Sequence, residues 1–196
     1  QLPQKLDKDL TIIINEDNPF DKLLNLIALE RNLEITSNEF EGVGIQHPLW
    51  GLMKFYFKSK NAICLTTGIH IRKNMGKKYE LEWDHIFPYS VLRDEGYGMD
   101  NRIKYQYAQE ITNRAVLTSV ANRTKSAQNA DIYLEMAAKR FPKSLQLQCI
   151  PEDESLWKLE NYELFLRARR QILVEELNNY LENITETTQE DIKMDL

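Results

Sequence analysis

The residues best suited to chemistry sit side by side in Leu81-Glu-Trp-Asp-His-Ile-Phe-Pro88. Asp84 offers a hard oxygen ligand, and His85 offers a base whose unperturbed pKa lies near the working pH. A second oxygen donor, Asn122, follows in Ser119-Val-Ala-Asn-Arg-Thr-Lys-Ser126. Carboxylate and amide oxygens suit a hard divalent ion such as Mg²⁺, which keeps several waters and takes further ligands from a substrate phosphate. A histidine beside such an ion can deprotonate water for attack on phosphorus, while the metal stabilises charge on the phosphate and its leaving oxygen. The competing reading is structural: a core histidine packed on Trp83's side of a strand.

Such chemistry needs elements that bring the groups together. Apolar residues fall on alternate positions at Tyr79, Leu81, Trp83 and Phe87, with Glu80, Glu82 and Asp84 on the other face, so a half-buried strand is expected over 79–87. Pro88 ends it, having no donor for a ladder. Adjacent strand residues point to opposite faces, so Asp84 and His85 share a site only if the strand bends or ends there. Ala115-Val-Leu117 suits a short buried strand over 114–118, and Ser119 can cap a helix starting at Val120. The unit reads β-β-α, with Asp84 and His85 closing one strand and Asn122 near the first turn of the helix.

Around that unit the patterns are mostly helical. Asn18-Pro19 opens a helix to about Asn32 with an apolar face of Phe20, Leu23, Leu24 and Ile27. Helices are also expected over 48–59, over 130–141 (stopped by Pro142) and over 155–182. Residues 62–67 read as β, and 89–112 as a long connection with a short helical piece. The expected fold class is α+β, mainly helical. Residues 1–17 read as an N-terminal lead-in, 18–182 as one domain and 183–196 as an acidic flexible tail.

Composition narrows the function classes. The chain has 196 residues, 42% hydrophobic, enough for one compact domain or two small ones. It has no membrane-length apolar run and no signal-peptide pattern, so a cytoplasmic protein is expected. It begins with Gln rather than Met, as an excised piece of a longer protein would. Cys64 and Cys149 lack any metal-binding spacing and read as buried reduced thiols. The net charge of −5 hides an asymmetry. Residues 42–79 hold seven basic and no acidic side chains, whereas 1–41 carry −5 and 150–196 carry −7. The basic block includes Lys54, Lys58, Lys60, Arg72, Lys73, Lys77 and Lys78 and directly precedes the Asp-His strand. It is either a polyanion footprint or a solvated lysine-rich surface. His47 and His70 fit no motif and read as structural, although His70 is also compatible with a strand beside the active one.

Asp84-His-Ile-Phe-Pro88, Asn113-Arg-Ala-Val-Leu-Thr118 and Asn122-Arg-Thr-Lys-Ser126 together resemble the HNH, or His-Me finger, nuclease superfamily. The pattern is similar to the HNH domain of RNA-guided CRISPR effectors, and longer stretches resemble the C-terminal nuclease domain of GmrSD-type restriction proteins. The motif-bearing part spans about 79–133, and the flanking helices extend the likeness to about 18–182. The resemblance implies a ββα-metal finger embedded between flanking helices. It implies His85 as general base and Asp84 and Asn122 as ligands of Mg²⁺ (or Mn²⁺). Asn113 would hold the loop and His85 in place, and Lys125 would contact phosphate. Many relatives carry His where this chain has Asn122, and Asn favours Mg²⁺-like ions over zinc.

The implied function is a metal-dependent DNA endonuclease, the effector domain of a restriction or anti-phage protein, with recognition supplied by another domain or subunit. Arg72, Lys73, Lys77, Lys78 and Arg123 are the expected nucleic-acid contacts. A homodimer, an RNA-directed nuclease and a catalytically silent binding or assembly module all remain open on sequence alone.

Overall fold

The computed structural model describes residues 2–30, 34–71, 81–118 and 128–194. The chain divides into two units, 1–35 and 36–196. The first unit holds helices α1 (Leu2–Asn15) and α2 (Pro19–Glu30). They pack on one another, with Lys5 Nζ 2.9 Å from Glu30 Oε2. The expected lead-in is therefore helical, and the boundary falls near residue 35 rather than 17. None of the described residues of α2 is buried, and Leu6, Leu10, Ile13, Ile14, Leu26 and Leu29 are exposed.

Among its described residues the second unit is mainly helical with a two-stranded antiparallel sheet, an α+β arrangement. Its first long helix is α3 (Pro48–Ser59), whose start is built from His47 and Pro48. The His47 Nδ1 accepts the Leu49 N–H, and proline at the first helical position has no N–H to orphan. His47 is thus structural, as expected. Leu49, Trp50, Met53, Tyr56 and Phe57 form its buried stripe.

Strand β1 (Leu81–His85) pairs with β2 (Arg114–Thr118), Leu81 opposite Thr118 and His85 opposite Arg114. Trp83 packs edge-on to Trp50 at 4.8 Å between ring centres and stacks near Phe57 at 6.1 Å, which seats β1 on α3. β2 is buried along four of its five residues because side chains occupy its second edge. The Gln148 amide accepts the Val116 N–H (2.7 Å) and donates to Val116 O (3.1 Å) and Ile63 O (2.8 Å). That amide bonds Val116 as a neighbouring strand would.

The expected strand over 62–67 is instead a tight turn with a single bridge, Ile63 to His70. Gly68 lies at φ +67°, and a Cβ there would come within 2.5 Å of Phe141, so the chain doubles back where a strand would continue. His70 Nδ1 donates to Asn61 O at 3.0 Å. Residues 89–112 are more ordered than expected: they hold α4 (Tyr89–Asp94), α5 (Arg102–Ala108) and a 3₁₀ turn at Ile111–Asn113. α5 begins where the Asn101 side chain accepts the Lys104 N–H.

Downstream, α6 (Ala130–Arg140) buries Ala130, Tyr133, Leu134 and Ala137 at helical spacing, with Asp131 in its first turn and Lys139 and Arg140 in its last. α7 (Lys143–Leu147) is short. The final helix α8 (Tyr162–Met194) starts later than the sequence pattern suggests and continues beyond 182. Two 3₁₀ turns precede it (Glu154–Trp157 and Leu159–Asn161). They are held by Asp153 accepting the Ser155 N–H, Trp157 Nε1 donating to Pro151 O, and Asn161 donating to Ser155 O. These side-chain bonds outcompete a regular helical turn. The core joins Phe87 to Tyr162 and Phe165, each with ring centres 5.0 Å away, together with Tyr133, Leu134, Leu145 and Trp157. Both cysteines are free and buried. No helix of the described residues is long and apolar enough to cross a membrane.

Candidate active site

Asp84 and His85 are the last residues of β1, and the strand ends immediately after them. By pairing, Trp83 and His85 share a face with Val116 and Arg114, while Asp84 lies with Ala115 and Leu117 on the other. The chain turns away at Ile86–Pro88, and Asp84 Oδ1 comes within 3.9 Å of His85 Nδ1. The strand terminus thus removes the obstacle that alternation raises. The Asp84 side chain is 27% exposed and that of His85 15%, so both are sheltered yet reachable.

What turns the chain there is Asn113. This residue is fully buried, and its amide is satisfied by backbone alone. Its Oδ1 accepts the Phe87 N–H (2.9 Å), and its Nδ2 donates to Phe87 O (3.1 Å) and Ala108 O (3.2 Å). Its own carbonyl accepts the Ile86 N–H at 2.7 Å. An amide that meets both backbone groups of Phe87 fixes where the chain goes after His85.

A second layer holds the segment 109–114 itself. Glu110, fully buried, forms a two-point ion pair with Arg170 of α8 (2.8 and 2.6 Å) and accepts the Gly42 N–H (2.7 Å) and the Thr112 hydroxyl. Arg169, also fully buried, donates to four backbone carbonyls: Thr112, Arg114, Gln148 and Cys149. Burial pulls its pKa down to about 10, still far above neutrality, so a charged guanidinium is held by carbonyl dipoles. Consecutive arginines on α8 therefore grip both ends of the turn that presents Asn113.

His85 meets Gln109, and through it Arg114, neither of which the sequence singled out. Its Nε2 is 3.3 Å from Gln109 Oε1, and the same oxygen accepts from Arg114 Nη2 at 3.2 Å. Arg114 Nη1 also donates to Trp83 O at 3.4 Å. Burial pushes the Arg114 guanidinium below its ordinary pKa, and the Asp84 carboxylate pulls it back. On the opposite side, burial raises the Tyr133 phenol well above its usual range; Arg169 opposes this and Asp84 adds to it. Arg114 was foreseeable as the cross-strand neighbour of His85 once the strands were registered. Gln109, reached through the end of α5, carried no sequence signal.

Of the remaining sequence-predicted residues, Asn122, Arg123 and Lys125 lie outside the described residues, as do Arg72, Lys73, Lys77 and Lys78 and the helix expected from Val120. Of the basic block, Lys54, Lys58 and Lys60 are described, and all three ride on α3 or its end. Lys54 Nζ sits 5.5 Å from the centre of the Trp50 ring, and Lys60 Nζ 5.7 Å from that of Tyr56.

Among the described residues, the accessible Asp84 carboxylate lies beside the His85 imidazole, a pairing that suits a hydrated hard ion taking few protein ligands. It does not suit a metal that needs a cage. Among the described residues, no group of three or more His, Cys, Asp or Glu could hold a metal ion. Comparison of the chain with protein-family models, with curated proteins and with solved structures found no match in any of the three.

Proposed function

We propose that the unit 36–196 is a metal-dependent, HNH-type endonuclease domain that hydrolyses DNA phosphodiester bonds. On this reading, 79–133 form a ββα-metal finger between flanking helices. The observation that carries the proposal is the strand end itself. Asp84 and His85 converge to 3.9 Å where the buried Asn113 amide seizes both backbone groups of Phe87.

His85, sheltered but accessible, takes the proton from a water as that water attacks phosphorus, and the electron pair of the broken P–O bond leaves on the departing oxygen. Asp84, with Asn122, would hold Mg²⁺ or Mn²⁺, which when bound stabilises charge on the phosphate and the leaving oxygen. Asn113 keeps the loop after His85 in place without touching substrate. Lys125 contacts the phosphate, and Arg72, Lys73, Lys77, Lys78 and Arg123 follow the DNA backbone, a contact that weakens as salt rises. Sequence or modification specificity comes from another domain or subunit. The setting that suits such an effector is a cytoplasmic restriction or anti-phage system.

The test is conversion of supercoiled plasmid by the protein in Mg²⁺ or Mn²⁺, run beside EDTA and His85→Ala. Open-circle or linear product that both controls abolish is the expected result. DNA binding without cleavage in any metal would instead favour a silent nucleic-acid-binding module, and cleavage that survives in His85→Ala would remove His85 from the mechanism.

A further inference from the structure

We propose that Tyr89 and Tyr105 form a stacking platform beside His85 for an unpaired DNA base flanking the scissile phosphate. The domain then favours single-stranded or locally opened DNA over intact duplex. For its catalytic meaning the proposal rests on the nuclease reading of Asp84 and His85. The platform itself is measured by binding, without cleavage.

The two rings come from different elements. Tyr89 opens α4 directly after Pro88, and Tyr105 lies one turn before the end of α5. Their ring centres are 5.8 Å apart and the planes cross at 80°, an edge-to-face corner. The ring centres of His85 and Tyr89 are 6.4 Å apart. That gap is about twice the 3.4 Å rise per nucleotide of a stacked strand, so a strand whose phosphate lies at His85 carries a neighbouring base to Tyr89.

Both rings are held in place. Tyr89 packs against the buried core while staying only half-buried itself. The Tyr105 N–H donates to Asn101 O (2.8 Å), and its carbonyl accepts the Gln109 N–H (3.1 Å). Gln109 follows Tyr105 by one turn on the same face, and its side chain lies 3.3 Å from His85 Nε2, which registers that face on the histidine. Arg102 precedes Tyr105 by one turn on this face and is exposed, a cation for the backbone of a stacked strand.

The use of the hydroxyls separates this pair from the structural tyrosines. Tyr56, Tyr97 and Tyr107 donate to Glu176, Glu163 and Glu41, and Tyr162 donates to Tyr107 O. Among the described residues the hydroxyls of Tyr89 and Tyr105 make no hydrogen bond, and neither is a buried atom left unsatisfied. Rings with one side on the core and the other open suit a binding surface. Every base has a π-face, so such a platform takes an unstacked base without reading sequence. In duplex DNA those faces are already covered, and exposing one costs unstacking.

The experiment is equilibrium binding of the full chain, in EDTA so that nothing is cut, to a fluorescein-labelled single strand of about 16 nucleotides and to the same sequence as duplex, read by fluorescence anisotropy. The wild type is expected to bind the single strand more tightly. Tyr89→Leu and Tyr105→Leu are each expected to weaken single-strand binding about fivefold or more, the loss of one stacked base, and duplex binding less than about twofold. Tyr89→Phe and Tyr105→Phe keep the ring and are expected to bind within about twofold of the wild type. In the plasmid assay, supercoiled DNA, which opens more readily, is expected to be cut faster than relaxed circles, and the leucine variants are expected to lose that preference.

Equal affinity of the wild type for both DNAs, leucine variants that bind the single strand as the wild type does, or no DNA binding would overturn the proposal even if the protein cuts plasmid. Tyrosine-dependent single-strand binding by a protein that never cuts would sustain the platform and reject the nuclease reading. Far-UV circular dichroism shows whether each variant has folded. Should Tyr89→Leu, which borders the core, fail to fold, Tyr105→Leu decides.

Discussion

Two neighbouring regions of the second unit are built on opposite principles. The turn 109–114 is saturated: Glu110, Thr112 and Asn113 are fully buried, and charge or amide groups satisfy one another or the backbone at nearly every atom. The strand end that it faces, Asp84–His85, keeps two titratable side chains partly exposed and close together. Buried polar groups that are fully bonded give rigidity, and removing one partner leaves the others stranded. Partly exposed groups at a strand terminus cost little to keep and remain available to a ligand. The first region is therefore organised for position and the second for reaction.

That contrast breaks if changes at the strand end unfold the protein or if changes in the turn are harmless. The largest effect is expected for His85→Ala in the cleavage assay. Loss of a general base removes about 10²–10⁴ in rate, while the thermal midpoint, read by circular dichroism, stays within a few degrees of the parent. Next comes Glu110→Ala, which strands the Arg170 guanidinium. Breaking a buried pair costs about 3–5 kcal/mol, to be read as a lowered denaturation midpoint in urea. Asn113→Ala removes the partner of one N–H and two carbonyls and is expected to cost roughly 2–3 kcal/mol. It should also depress any cleavage more than its loss of stability accounts for, because the chain after His85 is released. The smallest of the four is Gln148→Leu. It uncovers the second edge of β2 at roughly 1–2 kcal/mol by the same urea midpoint and leaves cleavage by the folded fraction unchanged. A Gln148→Leu protein that folds normally but loses cleavage would place the reactive region further from the strand end than the contrast allows.

Much of the second unit could be read in advance. The helix over 48–59 appears with the predicted bounds, since its apolar stripe and the His-Pro start are local signals. The strand over 114–118 appears where the short apolar run puts it, whereas β1 ends at His85 rather than Phe87, because the Asn113 side chain takes both backbone groups of Phe87 out of any ladder. The misreadings have a common cause. Residues 62–67 have the composition of a strand, but Gly68 against Phe141 turns them back. Leu156 and Leu159 continue the spacing of the last helix, yet Asp153, Trp157 and Asn161 draw the backbone into 3₁₀ turns. In each case a side chain from elsewhere, or a hydrogen bond within a few residues, outweighed a periodic pattern. The short helical piece expected within 89–112 could not be placed in advance, because only Ala108 of the seven residues of α5 is buried, leaving no apolar stripe to detect.

By itself the amino-acid sequence determined the helical frame, the pairing-competent strands and the placement of an acid and a histidine at a strand end closed by proline. All of these depend on neighbours a few positions apart, which the 3.6- and 2-residue periods and cap chemistry record directly. Only the tertiary structure brought Gln109 to His85, across 24 residues of chain. It alone joined Arg169 and Arg170 to the turn near Asn113, across separations of 55 to 60 residues. Bonds of that span leave no period in a sequence. They exist only once burial has brought the donors and acceptors together and made each unsatisfied one costly.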